Sequence, residues 1–108
     1  MKKIVFVETV GHGLYNFRGG VIKKLCDDGY KVYIVSPPFE KSKEIEKWGC
    51  KYISISIDRL GTNPIKDLKI ILNLKKIYSK IKPDLIFHYS IKPNIYGGIA
   101  ARLLSLKY

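Results

Sequence analysis

The feature that most constrains this chain is an unbroken alternation of two kinds of segment. Short runs of β-branched and aromatic residues are each followed by a stretch with helical spacing, four times over. Strands joined by helices lie parallel, because a parallel crossover needs a dozen or more residues while a hairpin needs only a few. The pattern therefore predicts a parallel sheet with helices on both faces and excludes sandwiches of hairpin-linked strands.

The spacing predicts strands at 3–7, 31–35, 51–57 and 85–88. Between them it predicts helices at 17–28, 42–48 and from Pro64 to about Lys82, with a last helix opening at Lys92-Pro93-Asn94 and running to about Leu106. Asn16 and Ser42 read as helix caps, and Gly29 and Gly49 as helix stops. Asn63 before Pro64 is the strongest start signal, a capping side chain followed by proline at the first helical position. Ile65, Leu68, Leu72 and Ile77, with Ile71, Leu74 and Ile81, read as that helix's apolar face, and lysines decorate the rest. Right-handed crossovers with one reversal of winding give the strand order 3-2-1-4. The expected fold is a Rossmann-like three-layer α/β/α domain with about four strands, covering residues 1–108 as one unit. Ligands bind such sheets at the carboxyl ends of the strands, where the order reverses. Here that places the site in the loops at 8–18 and 88–94.

With 108 residues and 46% apolar content, the chain can bury a real core. No apolar run approaches the ~18 residues of a membrane span. Met1-Lys2-Lys3 resembles a secretory start, but the run from Ile4 to Val7 ends at Glu8, too short for a signal peptide. The expectation is a cytoplasmic protein. Cys26 and Cys50 lack metal-ligand spacing and read as free thiols. The net charge is +11. Part of it follows from the lysine- and isoleucine-rich usage of an AT-rich genome, and part is assigned to anionic lipid or a phosphorylated substrate. The chain's three arginines, Arg18, Arg59 and Arg102, argue against a base-reading protein. The lysines are spread over several helices, so nucleic acid is not expected as a partner.

The first loop, Gly11-His12-Gly13-Leu14-Tyr15-Asn16-Phe17-Arg18, is neither the dinucleotide fingerprint, since position 16 is Asn, nor a P-loop, since no Gly-Lys-Ser/Thr follows. No cofactor and no metal are expected. Arg18 reads either as a phosphate or carboxylate contact or as a surface arginine pairing with solvent or with Glu8, the only carboxylate near the presumed cleft. Tyr15 and Phe17 read as core or hinge packing, the alternative being ligand stacking. In the second loop His88 leaves the end of a central strand, where it reads as an acid or base, a sugar-hydroxyl partner, or a histidine satisfied by backbone groups. Lys92 adds charge for an anion, and Asn94 reads as a cap for the last helix.

These residues, Tyr15-Asn16-Phe17-Arg18-Gly19-Gly20, Gly61-Thr62-Asn63-Pro64 and His88-Tyr89-Ser90-Ile91-Lys92-Pro93-Asn94-Ile95-Tyr96-Gly97, together resemble the N-terminal domain of family-four glycosyltransferases. These GT-B enzymes build capsule, O-antigen and lipid-linked oligosaccharides. The resemblance covers nearly the whole chain. It implies an acceptor-binding domain that faces a donor-binding domain across a cleft, and metal-independent transfer of a sugar from a nucleotide-sugar donor with retention of configuration. It implies a saccharide or lipid-pyrophosphate-linked acceptor and a peripheral position on the inner face of the cytoplasmic membrane. It also implies that Gly11 and Gly13 approach donor phosphates or acceptor, that Tyr15 and Arg18 face the acceptor, and that His88 contacts a sugar hydroxyl, with Lys92 and Asn94 in the same loop. The donor-binding half, with its paired glutamates, is not in these residues. The expectation is that a further domain or a partner subunit supplies it and that this chain alone transfers nothing. Outside the enzyme class, the alternative is a non-catalytic α/β module that docks on a membrane or a partner.

Overall fold

The computed structural model describes residues 2–9, 11–56, 63–89 and 92–107, with the side chains of 11–17 excepted. Four parallel strands, β1 (Lys3–Val7), β2 (Lys31–Ser36), β3 (Lys51–Ser54) and β4 (Leu85–His88), form one sheet in the order β3-β2-β1-β4. Ile4 pairs with Val32 on one side and Leu85 on the other, and Val7 with Val35 and His88. The strand order is the one the alternation predicts.

Both faces of β1 are buried, which is why the strand is a continuous apolar run. Ile4 and Phe6 point to one layer with Val32, Ile34, Ile22 of α1 (Gly11–Asp27) and Ile45 of α2 (Ser42–Lys47). Val5 and Val7 point to the other, with Val35, Ile86 and the inner face of α3 (Pro64–Ile81). A π-helical turn, Pro93–Gly97, leads into α4 (Gly98–Leu103), and both pack on α3. Gly98, Ala100 and Ala101 are buried there, their small size allowing close approach. At β4 the α1-side layer is open. Phe87 is half-exposed, and a groove of about 510 Å³ runs between Val21, Leu25, Phe6 and Phe87.

Several local expectations are corrected. α1 begins at Gly11, not Phe17, so the presumed glycine loop is helical backbone and Asn16 lies inside the helix rather than capping it. A strand-to-helix connection of a few residues suffices in an α/β unit, and the apolar spacing Leu14, Phe17, Val21, Ile22, Leu25 already extends the helix toward its start. Ser42 opens α2 but gives no capping bond; the position before it is Lys41. β3 stops at Ser54, its pairing with β2 ending in the bond from Ile55 N to Ser36 O at 3.1 Å, because β2 itself ends at Ser36 before two prolines. Residue 57, the expected strand end, lies outside the described residues.

The largest correction concerns α3. Its buried residues are Ile70, Leu74, Tyr78 and Ile81, with Ile71 and Ile77 packed beside them. Ile65, Leu68 and Leu72 face solvent, 68%, 55% and 55% exposed. The helix carries apolar residues on two sides, and the sheet takes the longer stripe. At its start the reading holds: Asn63 Oδ1 accepts from Ile65 N at 2.9 Å and Lys66 N at 3.5 Å.

Candidate functional site

The carboxyl ends of β1 and β4 lie side by side, and the chain segments leaving them are fastened to each other. Tyr89 N donates to Val7 O at 2.9 Å. The Tyr89 ring lies parallel to Phe6, 6.3 Å between centroids. Arg18, about two turns into α1, lays its guanidinium over that ring at 5.0 Å. Stacking of this kind uses the face of the guanidinium and leaves its in-plane donors directed outward. Arg18 is exposed, and among the described residues no carboxylate pairs with it. The alternative partner, Glu8, instead accepts from Thr9 N at 2.8 Å. Thr9 is buried just before the N-terminus of α1, and its Oγ1 has no hydrogen-bond partner among the described residues. A buried hydroxyl beside a 17-residue helix's positive end suits an anionic or hydroxyl-bearing ligand. Sequence reasoning missed Thr9, since only its burial marks it.

His88 ends β4 half-buried. Its Nε2 is 2.7 Å from the Tyr78 hydroxyl of α3. Burial lowers its pKa to about 4, so the ring is neutral near pH 7, and burial pushes the Tyr78 phenol up, so that the hydroxyl keeps its proton. Gly97 closes over this pair. A methyl group on Gly97 would overlap the His88 ring at Cδ2 and Nε2 and stand 3.2 Å from the Tyr78 oxygen. The spacing His88 to Gly97, read from sequence as a ligand loop, thus also encodes a strand-to-helix contact. A π-turn at this position opens the helix locally, a device frequent at functional sites.

Lys92 does not stand alone as a cation. Its Nζ is 3.0 Å from Asp67 Oδ1, both side chains being mostly covered. Tyr96 donates to Asp67 Oδ2 at 2.8 Å. The Tyr96 and Lys92 hydrogen bonds hold the Asp67 carboxyl below its ordinary pKa, and the same bond raises Tyr96. Glu8 is therefore not the only carboxylate at this end of the sheet. Asp67 was passed over because its partners lie 25 and 29 residues away. Asn94 sits inside the π-turn rather than capping it; the cap position is Lys92, which gives no side-chain cap bond. The expected roles of Gly11, Gly13 and Tyr15, and the character of His12, rest on side chains outside those described. Their backbone forms the first turns of α1.

A family model described as glycosyl transferase 4-like matches residues 3–107. The chain belongs to the glycosyl transferase 4-like family. A relative from Campylobacter jejuni, N,N'-diacetylbacillosaminyl-diphospho-undecaprenol alpha-1,3-N-acetylgalactosaminyltransferase, is 29% identical over 98% of this chain and 28% of its own length. A Clostridium botulinum relative, UDP-N-acetylglucosamine--N-acetylmuramyl-(pentapeptide) pyrophosphoryl-undecaprenol N-acetylglucosamine transferase, is 35% identical over 81% of this chain and 27% of its own length. This glycosyl transferase 4-like chain thus spans under a third of the length of those relatives. Among solved structures, a glycosyltransferase from Rickettsia africae superposes with a TM-score of 0.80 at 21% identity, over 98% of this chain and 28% of that one. MurG from Acinetobacter baumannii gives 0.76 at 21% identity, over 98% and 33%. The fold is that of the N-terminal half of a GT-B glycosyltransferase.

Proposed function

We propose that this domain is the acceptor-binding half of a glycosyltransferase that moves a sugar from a nucleotide-sugar donor to a saccharide carried on a lipid diphosphate, with retention of configuration. The observation that carries the reading is the junction of the two carboxyl-end segments at Arg18 and Tyr89, in a chain whose relatives bear the names of undecaprenyl-diphosphate-dependent transferases. In this reading Arg18 and Thr9 meet acceptor oxygens beside Tyr15. The backbone at Gly11 and Gly13 borders the donor phosphates. His88 offers its neutral ring to a sugar hydroxyl rather than taking up a proton, and Lys92 and Asn94 border the same pocket. A further domain or a partner subunit binds the donor, and the 108-residue chain alone turns nothing over.

The test is an NMR titration of the chain with a short-chain polyprenyl-diphosphate saccharide, and separately with the nucleotide sugar. The acceptor analogue should perturb the Arg18 and Tyr89 amides, and Arg18→Ala should weaken binding roughly tenfold, the loss of one charge-assisted contact. Lys92→Ala should weaken it less, because Asp67 already neutralises that ammonium. Saturable binding of the nucleotide sugar with none of the acceptor would sink the assignment, as would sustained transfer by the chain alone.

The outer face of α3 favours a peripheral membrane position, which serves either the transferase or a non-catalytic docking module. Ile65, Leu68 and Leu72 stand exposed on the side opposite the core. By helical spacing, Lys69, Lys76 and Lys80 share that side. Apolar side chains ringed by lysines on a helix suit the interface of an anionic bilayer. No described helix is long and apolar enough to cross a membrane. Binding to phosphatidylglycerol vesicles, lost in high salt and weakened by Leu68→Glu, is the expected result. Equal binding of wild type and Leu68→Glu would remove α3 from the account.

A further inference from the structure

Cys26 lies in the last turn of α1 and Cys50 immediately before β3. Both are free thiols, yet their sulfurs stand 3.1 Å apart. That is about 1 Å longer than a disulfide bond of ~2.05 Å, so closure needs a small side-chain movement and no change of fold. The backbone holds both residues in register. Gly29 N and Tyr30 N donate to Cys26 O and Leu25 O at 3.1 and 3.0 Å, fixing the end of α1. Gly49, at φ +101°, turns the chain so that Cys50 enters the core, and a methyl on it would lie 3.8 Å from Cys26 Cβ. Only glycine adopts that φ without strain.

From this juxtaposition we propose that Cys26 and Cys50 are a modification site, a dithiol that a peroxide converts to a reversible disulfide tying α1 to β3. Cys26 is half-buried and within reach of a small oxidant, while Cys50 is 5% exposed. Burial also pushes the Cys50 thiol up, which makes Cys26 the sulfur that reacts first. The Cys26 sulfur attacks one peroxide oxygen. An S–O bond forms, the O–O bond breaks, and one water leaves, giving a sulfenic acid. The Cys50 sulfur then attacks the Cys26 sulfur. The S–S bond forms, the S–O bond breaks, and the departing hydroxide takes the Cys50 proton as a second water. Two thiols and one hydrogen peroxide give one disulfide and two waters. The crosslink closes the segment that contains β2 and α2, and it fixes the far end of the helix whose first turns border the proposed acceptor site.

The experiment treats the 108-residue chain with hydrogen peroxide and follows intact mass, free thiols and Tm. The expected product is a monomer lighter by two hydrogens, with no free thiol, a peptide joining Cys26 to Cys50, and a Tm raised by roughly 10 °C as the closed loop restricts the unfolded chain. Dithiothreitol should reverse all of these. Cys26→Ser should keep the fold and show none of these changes on oxidation, which holds the test open even where Cys50→Ser disturbs the core. Gain of oxygen mass at both cysteines without a crosslink would overturn the proposal, as would disulfides only between two chains.

Discussion

Replacing Gly97 by alanine adds one methyl group to the molecule, and the structure says where it goes. The added Cβ would overlap the His88 ring and press on the Tyr78 hydroxyl at 3.2 Å. Neither neighbour has room to retreat. Tyr78 is fully buried, and His88 is held by its strand register with Val7. Overpacking of a rigid site costs about 1–3 kcal/mol. If the ring rotates away instead, the Tyr78–His88 hydrogen bond is lost and a buried hydroxyl goes unpaired, for about 1–3 kcal/mol. The chain takes whichever route costs less, so the expected destabilisation is about 1–3 kcal/mol. For a chain of this length that lowers Tm by roughly 4–13 °C.

Urea unfolding followed by far-UV circular dichroism measures this directly, with a shifted midpoint at unchanged slope. The control is Gly20→Ala in α1, where a methyl meets nothing within 4 Å. There the same chemical change removes backbone freedom from the unfolded chain and should stabilise by about 0.5–1 kcal/mol. A second control puts Gly97→Ala into a His88→Ala background, where the vacated ring volume should take the methyl for under about 1 kcal/mol. A change below about 0.5 kcal/mol in Gly97→Ala itself would refute the reasoning, as would a shift of the same sign as Gly20→Ala.

Asn63→Ala removes the side-chain cap of α3 and should cost about 1 kcal/mol by the same urea assay. His88 has its pKa lowered to about 4 from 6.5, so on acidification the unfolded chain takes up the proton first. The His88 contribution should fall between about pH 6.5 and about pH 4 and level off below, and His88→Gln should flatten that slope in pH-dependent melts. The Asp67 carboxyl is held below its ordinary value by Tyr96 and Lys92. Its stabilising contribution is present above the unfolded carboxylate pKa and is lost as pH falls through the folded one. Asp67→Asn should therefore lower Tm at pH 7, and the gap to wild type should close on acidification.

Topology was the most legible part of this chain, because strand and helix differ in the period of their apolar residues and the chain alternates cleanly between them. The Asn63-Pro64 start was legible because it is spelled out locally, in two adjacent residues. What failed was anything that depends on which neighbour wins. Ile65, Leu68 and Leu72 satisfy a helical stripe as well as Ile70, Leu74 and Ile81 do, and only the sheet chooses between them. Gly11 and Gly13 suggested a loop on propensity, yet the connection from β1 is short and the helix starts there. The π-turn at Pro93–Gly97 is packed on α3, and the tie from Asp67 to Lys92 joins residues 25 apart; neither has a local signature. Among the candidate site residues, position at the carboxyl ends followed from fold logic alone. The partners of His88 and Lys92 did not.

Those partners decide how the two candidate cations differ. Both anchors of the segment after β4 stand on α3: Tyr78 holds His88, and Asp67 holds Lys92 and Tyr96. α3 is itself packed into the core through Ile70, Leu74 and Ile81, so the segment is mounted on a rigid element at both ends. Lys92 spends its charge on that mounting. Arg18 does not. It spends only the face of its guanidinium, on Tyr89, which is fixed in turn by Phe6 and by the backbone of Val7. In the proposed site an acceptor anion would thus meet one cation already neutralised and one held in orientation with its in-plane donors outward. In the proposed reading, recognition falls to Arg18 on α1 and Lys92, tied to α3, gives structural support, although the sequence presents Arg18 and Lys92 as the same kind of residue.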